Sequence, residues 1–135
     1  YPDALALVIE RFRGVVIENR KAMDLLPTHD GAETLFYVDP PYVASTRDRG
    51  ADYRHEMNEA QHGALLQALW DVEGMVVLSG YPHSMYDSML QGWQRVEVPA
   101  LADGARERTE VLWINPQCAK ALDAQQAQRS LFAAE

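Results

Sequence analysis

The chain has 135 residues, 47% apolar and 24% charged, which is one domain's worth of sequence and excludes a disordered tail. Its formal charge of −8 excludes a protein that coats nucleic acid by charge alone, although Arg47, Arg49 and Arg54 form one local basic group and Arg106 and Arg108 another. The lone Cys118 excludes a disulfide within the chain, His29, His55, His62 and His83 share no metal-ligand spacing, and no apolar run nears the roughly 18 residues of a membrane span. An intracellular, cytoplasmic protein without metal or membrane contact is expected.

Taken in chain order, Leu5, Val8, Ile9 and Phe12 recur at helical spacing and predict a helix over 4–13, with Asp3 at its start and Gly14 at its end. "VVIE", 15–18, predicts a short strand, and Asn19 then caps a brief helix holding Ala22, Met23 and Leu26 until Pro27 stops it. "TLFYV", 34–38, is a continuous apolar run, the pattern of a strand covered on both faces. It runs directly into "DPPY", and proline cannot donate to a ladder, so the strand ends there.

Residues 44–57 carry five charged residues before His55 and no apolar period, which predicts a long loop. Asn58 followed by Gln61 is the spacing of a capping box, and Leu65, Leu69 and Val72 give the next helix its stripe, ending near Gly74. "MVVLSGY", 75–81, is a second apolar strand with a polar tip. A short helix over 84–91, strands at 95–99 and 109–116, and a helix from Gln117 complete the pattern. Trp113 and Ile114 read as core. Strands alternating with helices predict an α/β domain with a mainly parallel sheet, whose ligands bind beyond the carboxyl ends of the strands. Both tips, "DPPY" and "SGY", fall at such ends, so one shared site is expected.

The first tip suits a planar aromatic amine. The nitrogen lone pair of such an amine is delocalised into the ring, and acceptors for both amine hydrogens favour a tetrahedral, nucleophilic nitrogen. Asp39 offers a carboxylate, Pro40 a carbonyl fixed between ring-locked residues, and Tyr42 a ring for stacking. Read as an isolated tetrapeptide, the same residues equally make a loop exit with an aspartate cap. Ser79 and Tyr81 likewise read either as a strand cap and packed ring or as contacts to a ligand.

"TLFYVDPPY", the charged loop with "YRHEM", "NEAQHGALLQALW", "MVVLSGY" and "RTEVLWINP" together resemble, in order and spacing, the S-adenosylmethionine-dependent DNA adenine methyltransferases of the Dam-like bacterial and phage family. The resemblance implies a Rossmann-like methyltransferase sheet with helices on both faces, and methyl transfer from S-adenosylmethionine to the exocyclic amine of an adenine flipped out of double-stranded DNA. It implies that Asp39 and the Pro40 carbonyl hold the amine, Pro41 braces the loop and Tyr42 stacks on the base. Arg47, Tyr53 and Arg54 would face DNA, with Ser79 and Tyr81 near the base. Asn19, with Asp39, would lie on the cofactor side.

The chain departs from that family in having no Gly-x-Gly and no insert of target-recognition size. Residues 1–135 therefore read as the C-terminal part of a methyltransferase catalytic domain whose sheet lacks its first strands. That gap predicts an apolar strand edge that seeks a second copy or a complementary N-terminal fragment. An RNA guanine methyltransferase, and a non-catalytic α/β fragment acting through protein association, are the alternative readings.

Overall fold

The computed structural model describes residues 2–47, 54–102 and 106–132. The chain forms a mixed α/β structure in the order α1 (Pro2–Phe12), α2 (Ala22–His29), β1 (Leu35–Val38), a 3-10 turn (Ala44–Thr46), α3 (Glu59–Asp71), β2 (Met75–Gly80), α4 (Ser84–Met89), β3 (Gln94–Ala102), β4 (Arg106–Ile114) and α5 (Pro116–Phe132). The sheet order is β1-β2-β4-β3.

β1 and β2 are parallel, in register from Leu35↔Met75 to Val38↔Leu78, with α3 in the crossover between them. β4 runs antiparallel to β2 on one side and to β3 on the other. The alternation of elements had pointed to a mainly parallel sheet. One pairing is parallel and two are antiparallel, because β4 lies between β2 and β3 and runs against both, β3 pairing directly with the strand that follows it. Mixed sheets of this kind are common among α/β folds.

Alternation along each strand sends Phe36, Val38, Val76, Leu78, Val111 and Trp113 into one core with Leu65, Leu66 and Leu69 of α3 and Tyr86 of α4. The expected capping box forms: the Asn58 side chain accepts from Gln61 N while Gln61 Oε1 accepts from Asn58 N, both at 2.9 Å. At the other end of the sheet Asn115, 2% exposed, fastens three segments. Its Oδ1 accepts from Val76 N and Cys118 N, and its Nδ2 donates to Gly74 O, each at 2.9 Å. Asn115 thus caps α5, with Pro116 at its first position.

The start of β2 is set by Asp30, whose carboxylate accepts from Glu73 N at 2.9 Å and Gly74 N at 3.0 Å. Gly74 has to be glycine there, since a Cβ would stand 2.9 Å from Thr34 O and 3.0 Å from Gly31 O. These backbone donors, that of Glu73 foremost, hold the Asp30 carboxyl below its ordinary range.

Four local expectations change. "VVIE" is not a strand: residues 15–18 run as irregular chain, with Val16 83% and Ile17 87% exposed. β-branched residues suit a strand only where a ladder neighbour exists, and β1 takes β2 instead. Asn19 does not cap the next helix, which begins at Ala22 with Lys21 before it. That helix also passes through Pro27 to His29, held by buried Leu26 and by the Thr28 hydroxyl donating to Asp24 O at 2.8 Å. β1 is covered on one face rather than two, leaving Leu35 57% and Tyr37 66% exposed. The stripe of α1 is formed but also uncovered, with Leu5, Val8, Ile9 and Phe12 each more than half exposed.

Candidate functional site

Parallel pairing of β1 with β2 puts the residues that follow Val38 and Leu78 side by side. Asp39, which leaves β1, therefore meets Ser79 near the end of β2. The Ser79 hydroxyl, 3% exposed, donates to Asp39 Oδ1 at 2.9 Å and lies 3.2 Å from Val38 O. Asp39 itself is exposed, Pro40 is buried and Pro41 half-buried. The tip thus stands on a buried proline with its carboxylate turned to solvent. A carboxylate has about four lone-pair sites, so one bond from Ser79 leaves capacity for further donors.

The rings of Tyr42 and Tyr81 meet edge to face, with centroids 4.6 Å apart and planes at 74°. The Arg108 guanidinium of β4 lies over the Tyr81 ring at 5.1 Å and donates from Nη1 to Thr46 O at 3.2 Å. Burial raises the Tyr42 phenol well above its ordinary value, and the charges of Asp39 and Glu110 add to the effect. Tyr42 is therefore a neutral phenol across the physiological range. The two tips and β4 make one cluster: a solvent-facing carboxylate, a neutral phenol, a second ring and a guanidinium.

The loop beyond the tip turns inward. Val43 is buried, and its carbonyl accepts from Thr46 N at 2.9 Å and Thr46 Oγ1 at 2.7 Å. Arg47, expected to face DNA, has a side chain only 7% exposed and makes a two-pronged ion pair with Glu56, Nη1–Oε1 3.1 Å and Nη2–Oε2 2.5 Å. Its place in the structure is a clasp across the charged loop. Arg54 is exposed, and Tyr53 lies outside the described residues. Asn19 sits on the exposed segment before α2, and among the described residues no hydrogen bond or ring contact joins it to the tips. Beside it, Glu18 pairs with His29 at 2.7 Å, which is the main reason its carboxyl lies below the ordinary range.

Asp39, Pro40, Pro41, Tyr42, Ser79 and Tyr81 are thus brought together, whereas Asn19 stands on a separate segment and Arg47 is paired with Glu56. Sequence reasoning did not connect Arg108, Glu110 and Thr46 to this site. The signal available was in "RERTEVLWI": Arg108 and Glu110 occupy the alternate positions that Leu112 and Ile114 continue, so charge interrupts one face of a strand at the end nearest the tips.

Among the described residues no group of three His, Cys, Asp or Glu side chains could hold a metal ion, and no helix is long and apolar enough to cross a membrane. Cavities of about 330 and 360 Å³ flank Trp93, and neither is lined by residues of the two tips. Comparison with protein-family models gives no match, and comparison with curated proteins gives none either.

Proposed function

We propose that this chain grips the exocyclic amine of an adenine flipped out of duplex DNA, and that it is the target-holding part of an S-adenosylmethionine-dependent DNA adenine methyltransferase with a Rossmann-like sheet. The observation that carries the reading is the Asp39 carboxylate, exposed to solvent and held on one oxygen by buried Ser79 beside the two tyrosine rings.

In this reading Asp39 and the Pro40 carbonyl accept the two amine hydrogens, drawing the nitrogen toward a tetrahedral form with its lone pair exposed. Tyr42, neutral and ring-locked against Tyr81, supplies the surface on which the base rests. S-adenosylmethionine, when bound, supplies the electrophilic methyl group. The residues beside the tips suit the amine better than a cofactor cradle. Gly80, the nearest glycine, is filled by the Trp113 ring, 3.2 Å from where a Cβ would sit, and Asn19 stands on a separate segment. The chain's own part in the reaction is therefore the amine grip.

The test is transfer of a labelled methyl group from S-adenosylmethionine to adenine-containing duplex DNA, with tRNA and rRNA as parallel substrates. Label on the adenine amine of DNA supports the reading. Label on RNA guanine alone replaces it with the RNA methyltransferase, and no label on any polymer favours a fragment that acts through protein association.

A further inference from the structure

We infer that Ser79 and Arg108 are positioning residues which clamp the two ends of the Asp39–Arg47 loop, so that the amine grip is assembled before substrate arrives. The inference about catalysis rests on the methyltransferase reading; the clamp itself does not.

The loop leaves β1 at Val38 and turns inward at Val43. At its first end buried Ser79 holds the Asp39 carboxylate from the neighbouring strand. A hydroxyl donating to a carboxylate makes a charge-assisted bond, roughly twice as strong as a neutral one, and this one fixes the direction in which the remaining acceptor capacity of Asp39 faces. At its far end Arg108 reaches from β4 to the carbonyl of Thr46. The same guanidinium covers Tyr81, whose ring seats Tyr42. One arginine therefore joins the loop's end to the ring at its centre.

The geometry is economical in origin. Ser79 and Arg108 project from two adjacent strands of the sheet, and Ser79 pairs in register with Leu112, four residues from Arg108. Both anchors thus belong to the rigid scaffold, while the groups they hold belong to the loop. Misplacing a reacting group by about 1 Å costs on the order of 100-fold in rate, so a clamp of this kind acts on the chemical step and not on cofactor affinity.

The experiment uses the full chain and four versions of it: wild type, Ser79→Ala, Ser79→Thr and Arg108→Gln. Hydrogen–deuterium exchange is followed in peptides spanning 39–47, with the α3 peptide as an internal check on folding. Loss of a hydrogen bond to a charged group is worth roughly a 10-fold change or more in an opening equilibrium. Exchange over 39–47 is expected to quicken by about that factor in Ser79→Ala and Arg108→Gln, with α3 unchanged and Ser79→Thr close to wild type. Unchanged exchange over 39–47 in both variants overturns the clamp. Faster exchange in α3 as well shows a general loss of fold and also overturns it.

Methyl transfer is then measured on the same proteins. If wild type is active, kcat should fall about 10- to 100-fold in Ser79→Ala with the KM for S-adenosylmethionine moving less than about 2-fold, and Ser79→Thr should restore it. A change confined to KM overturns the catalytic consequence. If wild type transfers no methyl group, the functional reading fails while the exchange result still decides the clamp.

Discussion

Tyr42 and Tyr81, which leave two neighbouring parallel strands, pack edge to face with ring centroids 4.6 Å apart. That contact joins the two polar tips and turns a strand-end motif into a shaped site. It also separates the ring of Tyr42 from its hydroxyl, because the contact with Tyr81 is made by the ring.

The ring is the part of Tyr42 that a stacked base needs. Tyr42→Ala should cut methyl transfer to a DNA adenine by a factor corresponding to about 1–3 kcal/mol, the worth of one base–aromatic stack. Tyr42→Phe keeps the ring and should stay within a few-fold of the parent. Steady-state rates on the same duplex check this; equal losses in the two variants would place the role in the hydroxyl instead.

Asp39 carries the sharpest functional prediction. Asp39→Ala removes the carboxylate acceptor and should abolish methyl transfer in the active enzyme while leaving S-adenosylmethionine binding within about 2-fold, measured by calorimetry, since the assigned partner is the amine. Turnover near that of the parent would end the assignment.

Acid stability should depend on Asp30. Its folded-state pKa lies below the ordinary aspartate value, chiefly because of the Glu73 backbone donor. The stability it contributes is present above the unfolded value and is lost as pH falls through the lower, folded one. Asp30→Asn removes that contribution, so its Tm should fall less steeply than that of the parent between neutral pH and about pH 2. Parallel Tm curves for the two proteins would contradict this.

Asn115 should be a stability residue rather than a functional one. Asn115→Ala leaves Val76 N, Cys118 N and Gly74 O without their side-chain partner in a buried setting. The cost of one such unsatisfied group is about 1–3 kcal/mol. Urea denaturation should show a lower midpoint at unchanged slope, with a loss of at least that size.

Self-association is expected from the uncovered surface. The stripe of α1 and the Leu35 and Tyr37 side of β1 lie uncovered, with Leu5, Val8, Ile9, Phe12, Leu35 and Tyr37 each more than half exposed. Grouped apolar side chains of this kind mark a surface that a partner can cover. Sedimentation at micromolar concentration should detect dimers or larger species, and Tyr37→Glu should shift them toward monomer. A monodisperse wild-type monomer would contradict the expectation.

Local physics made much of the molecule legible beforehand. The Asn58 and Gln61 spacing dictated a helix start because two orphan donors can be satisfied within four residues, whatever lies around them. The two prolines after Asp39 had to end β1, since a residue without an N–H cannot extend a ladder. The apolar run of 75–80 required burial, and Val76 and Leu78 are fully buried. From the same reasoning came both polar tips and their place at carboxyl ends.

What the sequence left open was everything that depends on a neighbour. "VVIE" has the residues of a strand and no ladder to join, and Pro27 lies inside a helix because Leu26 is anchored in the core. Arg47 carries a charge suited to phosphate, yet Glu56, nine residues away, claims it. Ser79 was readable as a ligand contact, but its bond to Asp39, and any part for Arg108, arose only when strand pairing placed β2 between β1 and β4. Periodicity and capping act over a few residues and can be read along the chain. Hydrogen bonds such as Ser79 to Asp39, 40 residues apart, arise only once the sheet's order and register are set.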